Sequence, residues 1–104
     1  MGVFIEPPVY HGWIMRGRMI KSSHLITDEV DLTELHRIAY AGGMKRSWFQ
    51  DHADHPHYDI TESRYAAMVR AGAIPVDRNG LVAAVRRRRA AVAGLESTPA
   101  TTPG

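Results

Sequence analysis

Residues 51–59 read Asp-His-Ala-Asp-His-Pro-His-Tyr-Asp and hold three of the six histidines together with three carboxylates. Neutral imidazole and carboxylate are the common ligands of zinc, manganese and iron. Spacings of two and three residues within a loop let such side chains converge on one ion. Their order matches neither His-x-His-x-Asp-His nor His-Glu-x-x-His, so the motif itself selects no known metal centre. A plainer alternative is a solvated polar loop, with His57 and Asp59 fixing a turn or capping the next helix. On the chemical reading, His57 and Asp59 are the metal ligands, and Gln50 and Tyr58 contact a substrate.

His24 is the second centre of interest. It follows Ser22-Ser23 and precedes the apolar pair Leu25-Ile26. An imidazole titrating near neutrality serves as a general base or a metal ligand. Alternation along a strand would point it away from the Leu25 face. The alternative is a half-buried histidine satisfied by a backbone carbonyl. His36, four residues after Leu32, reads as a boundary residue of a helix, and Glu34 reads as a capping residue.

These side chains need a frame. Val3-Phe4-Ile5, stopped by Pro7-Pro8, reads as a buried strand, and residues 23–27 read as a second. Residues 9–21, with Gly12 and Gly17, read as a long loop or irregular hairpin. Asp31 is placed to cap a helix carrying Leu32, Leu35, Ile38 and Ala39 at helical spacing, and Gly42-Gly43 stop it. Residues 46–50, with Trp48-Phe49, read as a short strand. Thr61 caps a helix through Tyr65, Met68 and Val69 that ends at Gly72. Ile74-Pro75-Val76 reads as an edge strand. Asp77 caps a last helix with Leu81, Val82, Val85 and Val92 on one face.

Strands alternating with helices predict a small single α/β domain over residues 1–95, with about four short, mostly parallel strands and about three helices. Residues 96–104, rich in Thr, Pro and Ala, read as a disordered tail. In an open parallel sheet, ligands gather beyond the carboxyl ends of the strands. Those ends supply Glu6, Asp28, residues 50–59 and Asp77, with His11 in a loop at the rim. His24 fits less well, because it lies near the entry of its strand. The expected site therefore has His24, Asp28, His57 and Asp59 as its catalytic group. Glu6, His11, Gln50 and Tyr58 are its substrate contacts. His24 and His57 should face one cleft, roughly 3 to 6 Å apart.

The 104 residues carry a net charge of +2 and no cysteine, which excludes disulfides, thiolate catalysis and thiolate-bound zinc. No apolar run approaches the roughly 20 residues of a membrane helix. Met1 to Pro8 lacks the pattern of a signal peptide, so a cytoplasmic protein is expected. Most of the excess basic charge is Arg86-Arg87-Arg88-Arg89, without which the chain is slightly acidic. Successive residues spread over every face of a helix, so some of these arginines must lie over the core edge. The others, with Arg16, Arg18 and Lys21, can contact phosphates of a nucleic acid. A solvated helical turn is the simpler reading.

Taken in order, Glu6-Pro7-Pro8, His11-Gly12, Ser23-His24-Leu25, Asp28, Glu34-Leu35-His36, Ala39 and Gly43 form a pattern. It continues through Phe49, His57-Tyr58-Asp59, Arg64-Tyr65, Ala71-Gly72-Ala73 and Pro75-Val76. This pattern resembles a short family of actinobacteria and their phages, known as domain of unknown function four-zero-three-one. The family has no agreed activity to carry over. Its members have Asp where this chain has Glu6, and a tighter Asp-His-Tyr-Asp segment. By that comparison residues 51–56 are an enlarged loop, His52 and His55 are local additions, and the loop over 13–21 is long. Such variation suits a phage or mobile-element copy.

Two functions follow as expectations. One is metal-assisted hydrolysis of a phosphate-containing or nucleotide-like substrate, with a divalent metal as cofactor. The other is a non-catalytic interaction module that binds a protein or nucleic acid.

Overall fold

The computed structural model describes residues 1–96. Its elements run β1 (Val3–Ile5), β2 (Val9–Met15), β3 (Arg18–Thr27), α1 (Thr33–Ala41), β4 (Tyr58–Thr61), α2 (Tyr65–Ala71), β5 (Ile74–Pro75) and α3 (Arg78–Glu96). The tail expected over residues 96–104 lies outside the described residues, except for Glu96, which ends α3.

β3 organises the sheet. Leu25 pairs with Ile5 on one side and Tyr58 on the other, and Ser22 pairs with Val9 and Thr61. β1 and β2 therefore lie end to end along one edge of β3, and β4 covers the opposite edge. All three pair antiparallel to β3; the two-residue strand β5 alone runs parallel, beside β1. The α/β class holds, but the sheet is mixed and mostly antiparallel, not mostly parallel. The reason is connectivity. A parallel pair needs a crossover of a dozen or more residues. β1, β2 and β3 have no helix between them.

Of the two readings of residues 9–21, a long loop or an irregular hairpin, the structure has the hairpin. Met15 pairs with Arg18 across a two-residue turn, Arg16-Gly17, whose φ angles are 53° and 76°. Two positive φ values give the turn whose twist matches the strands. Gly supplies one freely, and Arg16 adopts the other against its preference. The pairing slips between Tyr10 and Ile14, at Gly12 (φ 84°). This bulge re-aims the neighbouring His11.

Alternation sends Val3, Ile5, Leu25, Tyr58 and Ile60 into one core with Leu35, Ile38 and Met68 from α1 and α2. Phe4 and Ile26 face the other way, onto Leu81 and Ala84 of α3. The chain is thus layered helix–sheet–helix. Asp77 caps α3 as expected, accepting from the Gly80 amide at 2.7 Å; in α1 the cap position falls on Leu32, and Asp31, one residue earlier, accepts from the Thr33 amide at 2.8 Å. Glu34 instead pairs with Arg37 on the surface. Thr61 ends β4, and a short 3-10 turn precedes α2.

Residues 46–50 do not form the expected strand. Arg46–Trp48 is a 3-10 turn, and Gln50 alone bridges to His57. Each of those two amides donates to the other's carbonyl, at 2.9 and 3.1 Å. That pair closes the loop over 51–56 and delivers His57 to the start of β4. Among the described residues no helix is long and apolar enough to cross a membrane.

Candidate functional site

The site begins with a broken ladder. Two residues past the Ile5–Leu25 pair, the chain meets Pro7-Pro8, which carry no amide donors and end the pairing. The His24 amide points into this gap and donates to Glu6 Oε2 at 3.1 Å. The His24 ring reaches the same oxygen through Nδ1. Glu6 is 2% exposed, so its carboxylate is an internal acceptor that substitutes for a strand. A carboxylate accepts, so Nδ1 of His24 carries the proton. Its Nε2 is the ring nitrogen that faces Asp59.

On the far edge of β3, Asp59 is the direct cross-strand partner of His24. Its Oδ1 lies 3.8 Å from His24 Nε2 and 3.4 Å from His57 Nε2. His57 Nδ1 donates to the His55 carbonyl at 2.8 Å, which fixes its tautomer in the same way. Gln50 donates its amide to Asp59 Oδ2. The three ligand atoms of His24, His57 and Asp59 all lie within 4.8 Å of one another. Ligands of a tetrahedral zinc, at about 2.0–2.1 Å from the ion, stand roughly 3.3–3.4 Å apart. Small side-chain rotations would bring the set to that spacing. Each imidazole already has the outer hydrogen bond that metal-bound histidines use.

A second grouping, Glu6, His11 and His24, shares His24 with the first. Its Glu6 oxygen is already engaged by His24. His11 Nε2 stands 3.7 Å from that oxygen, at the rim. The His11, His24 and His57 rings follow one another edge-on, with centres 4.9 and 5.4 Å apart.

Two predicted site residues lie elsewhere. Asp28 lies just past the end of β3, four residues beyond His24, buried and committed to structure. It accepts from the Gly2 amide at 2.8 Å and from Arg87 Nε at 3.0 Å. Tyr58 points to the opposite face of the sheet, where its hydroxyl meets His36 Nδ1 at 2.7 Å and its ring packs near Phe49. Neither touches the histidine group. The other predicted residues, Glu6, His11, His24, Gln50, His57 and Asp59, come together. They do so through strand register and not through parallel strand ends.

Two clefts flank this group. One, of about 360 Å³, is lined by Glu6, His24 and His55 with Arg78, Arg86 and Arg89 of α3. The other, of about 560 Å³, is lined by Trp13, Met15 and Trp48 together with Gln50 and Asp59. The arginine run divides between two roles. Arg88 is buried, and donates to the Glu29 and Val30 carbonyls at 2.9 and 3.3 Å. Arg87 holds Asp28. Arg86 and Arg89 line the smaller of these two clefts.

Residues 3–88 match the family described as protein of unknown function (DUF4031). The chain belongs to this family. No curated protein and no solved structure matches it. In this family member the matched span contains the whole histidine–carboxylate group together with Arg78 and Arg86.

Sequence reasoning divided the four arginines between the core edge and phosphate contact without saying which does which, and it placed neither Trp13 nor Arg78 in the reactive site. The helical spacing of Arg78, Arg86 and Arg89 was a usable signal, since offsets of eight and three residues share a face.

The His57–Asp59 pair has a pH signature. Burial pushes the His57 imidazole down, but Asp59 and the His55 carbonyl outweigh it and hold its pKa above 6.5. The hydrogen bond from His57 holds the Asp59 carboxyl below 3.8, against burial. A raised His57 pKa stabilises the fold below 6.5, and that contribution fades as pH rises through the folded value. A depressed Asp59 pKa stabilises the fold above 3.8, and that contribution fades as pH falls through the folded value. Both act together between 3.8 and 6.5. Asp59→Asn should therefore lower the melting temperature of the metal-free protein most near pH 5, and much less at about pH 9. Equal losses at both values would mean that the pair is not ionic.

Proposed function

We propose that this domain is a small metal-assisted hydrolase acting on a phosphate-containing substrate. One observation carries the reading: a ring nitrogen of His24, a ring nitrogen of His57 and a carboxylate oxygen of Asp59 converge within 4.8 Å, with each Nδ1 hydrogen-bonded from behind. Two imidazoles and one carboxylate with an open side suit a catalytic zinc or iron ion. Such an ion supplies Lewis acidity towards a phosphoryl oxygen and lowers the pKa of water. Glu6 holds His24 in orientation. Arg78, Arg86 and Arg89 provide the positive wall against which a phosphate rests. In the hydrolysis, a water oxygen bonds to phosphorus as the ester P–O bond breaks. The proton released by water passes to the leaving oxygen, with His11 as the carrier nearest the rim.

The test is hydrolysis of p-nitrophenyl phosphate and of bis-p-nitrophenyl phosphate by protein loaded with Zn²⁺, Mn²⁺ or Fe²⁺. Turnover with at least one ion is expected, and His57→Ala and Asp59→Asn should each reduce it by about a hundredfold or more. Circular dichroism would check that both variants stay folded. Absence of turnover with every ion on both esters overturns the reading.

A second reading, a protein-binding module, is favoured by the β2–β3 hairpin, whose Tyr10, Ile14 and Met19 are exposed. It predicts a hairpin-dependent partner and no dependence on His57.

A further inference from the structure

The proposed hydrolytic site leaves the larger cleft without a role. Its walls are Trp13, Met15, Met44 and Trp48, and Gln50 and Asp59 form the edge nearest the histidines. Trp48 is 41% exposed and Trp13 half-buried, so neither ring is consumed by the core. These are the only two tryptophans in the chain, and both face this one cleft. Arg64 also lines it, with its guanidinium 5.7 Å from the centre of the Trp48 ring. Flat aromatic and guanidinium surfaces of this kind are what nucleobases stack on.

The cleft is joined to the proposed reaction centre by strand pairing. His24 lines the arginine cleft, Asp59 lines the tryptophan cleft, and the two residues are direct partners across β3 and β4. A ligand spanning both would put an anionic group against Arg78, Arg86 and Arg89. It would put a flat, apolar group between the tryptophans, and its phosphoester at His24, His57 and Asp59. A sugar phosphate lacks the flat group, and a phospholipid lacks the aromatic plane. Gln50 donates to Asp59 through its amide nitrogen, which leaves its amide oxygen to accept from an exocyclic amine.

We propose that the Trp13–Trp48 cleft seats a nucleobase, so that the ligand of the adjoining site is a nucleotide. This rests on the hydrolase reading for the identity of the phosphate subsite, but the base subsite can be measured without metal.

Because both tryptophans line the cleft, intrinsic fluorescence reads it directly. The protein would be titrated, in chelator and again with Zn²⁺, with the four common nucleosides, their 5′-monophosphates, ribose 5-phosphate and a hexadeoxyadenylate. At least one nucleoside should quench in a saturable way in chelator, and its monophosphate should bind more tightly. Trp13→Ala and Trp48→Ala, each read on the remaining tryptophan, should weaken both by about tenfold to a hundredfold, while Trp→Phe restores part of the loss. Equal affinity for monophosphate and hexamer identifies a free nucleotide as the source. A hexamer that binds far more tightly identifies a strand. Nucleoside binding that Zn²⁺ and His57→Ala leave untouched supports the base cleft even if hydrolysis fails. The proposal is overturned if no nucleoside quenches, or if ribose 5-phosphate binds as well as every monophosphate.

Discussion

Zn²⁺ at about a hundred times its dissociation constant should stabilise the folded protein by roughly 2.7 kcal/mol. For a domain of this length that is a rise in melting temperature of about 10–20 °C. The reason lies in the metal-free site. There the His57 ring nitrogens meet the His55 carbonyl on one side and Asp59 on the other. A raised His57 pKa means that the second position is held by a proton over part of the pH range. On the proposed reading a divalent ion would take the place of that proton and would be held by His24 as well. Uptake should therefore release protons and weaken as the solution is acidified. His57→Ala and Asp59→Asn should each abolish the thermal shift, because two remaining ligands do not hold the ion. Glu6→Gln should keep the shift but require about ten- to a hundredfold more metal, since it removes the carboxylate behind His24. Differential scanning fluorimetry with Zn²⁺, Mn²⁺ and Fe²⁺ measures all of this. A shift that survives in both ligand variants would place the ion elsewhere.

The second large effect separates the arginines. Arg88→Ala should cost about 2–3 kcal/mol of stability, because two backbone carbonyls at the start of the β3–α1 connection lose a charged donor. The stem of Arg88 is buried as well, so packing is lost along with charge. Arg87→Ala should also destabilise, since Asp28 is 3% exposed at its side chain and loses its cationic partner. Arg86→Ala and Arg89→Ala should leave stability within about 0.5 kcal/mol. Their effect should fall on anion binding: each should weaken monophosphate binding several-fold and flatten its salt dependence. Urea titration and isothermal calorimetry on the four variants test the division. Equal destabilisation by all four, or phosphate binding lost only with Arg87 and Arg88, would contradict it.

Local elements were legible from short stretches of residues. Asp31 and Asp77 start helices, and Gly42-Gly43 and Gly72 end them, because each signal needs only its own backbone neighbourhood. The two-sided character of residues 23–27 was equally plain, since strand alternation separates His24 from Leu25. The hairpin over 9–27 stood only as an alternative to a loop, because its turn is Arg-Gly and not Asn-Gly, and because a bulge at Gly12 breaks the alternation. Residue types alone also marked Glu6, His11, His24, Gln50, His57 and Asp59 as able to do chemistry.

The amino-acid sequence by itself determined the α/β composition, the helix limits and the stock of imidazoles and carboxylates. The strand directions were not among these: the Arg16-Gly17 turn makes β2 and β3 antiparallel, and β1 and β4 join β3 in the same sense. Which of the candidate residues meet was decided only by the tertiary structure. His24 faces Asp59 because β4 pairs with β3 in one register, and a slip of one residue would send Asp59 to the other face. Asp28 and Tyr58 left the candidate group for the same kind of reason. The packing of α3 brings Arg87 to one, and alternation turns the other towards His36. A side chain's type depends on its own codon, but its partner depends on strand pairing and helix docking between segments distant in the chain.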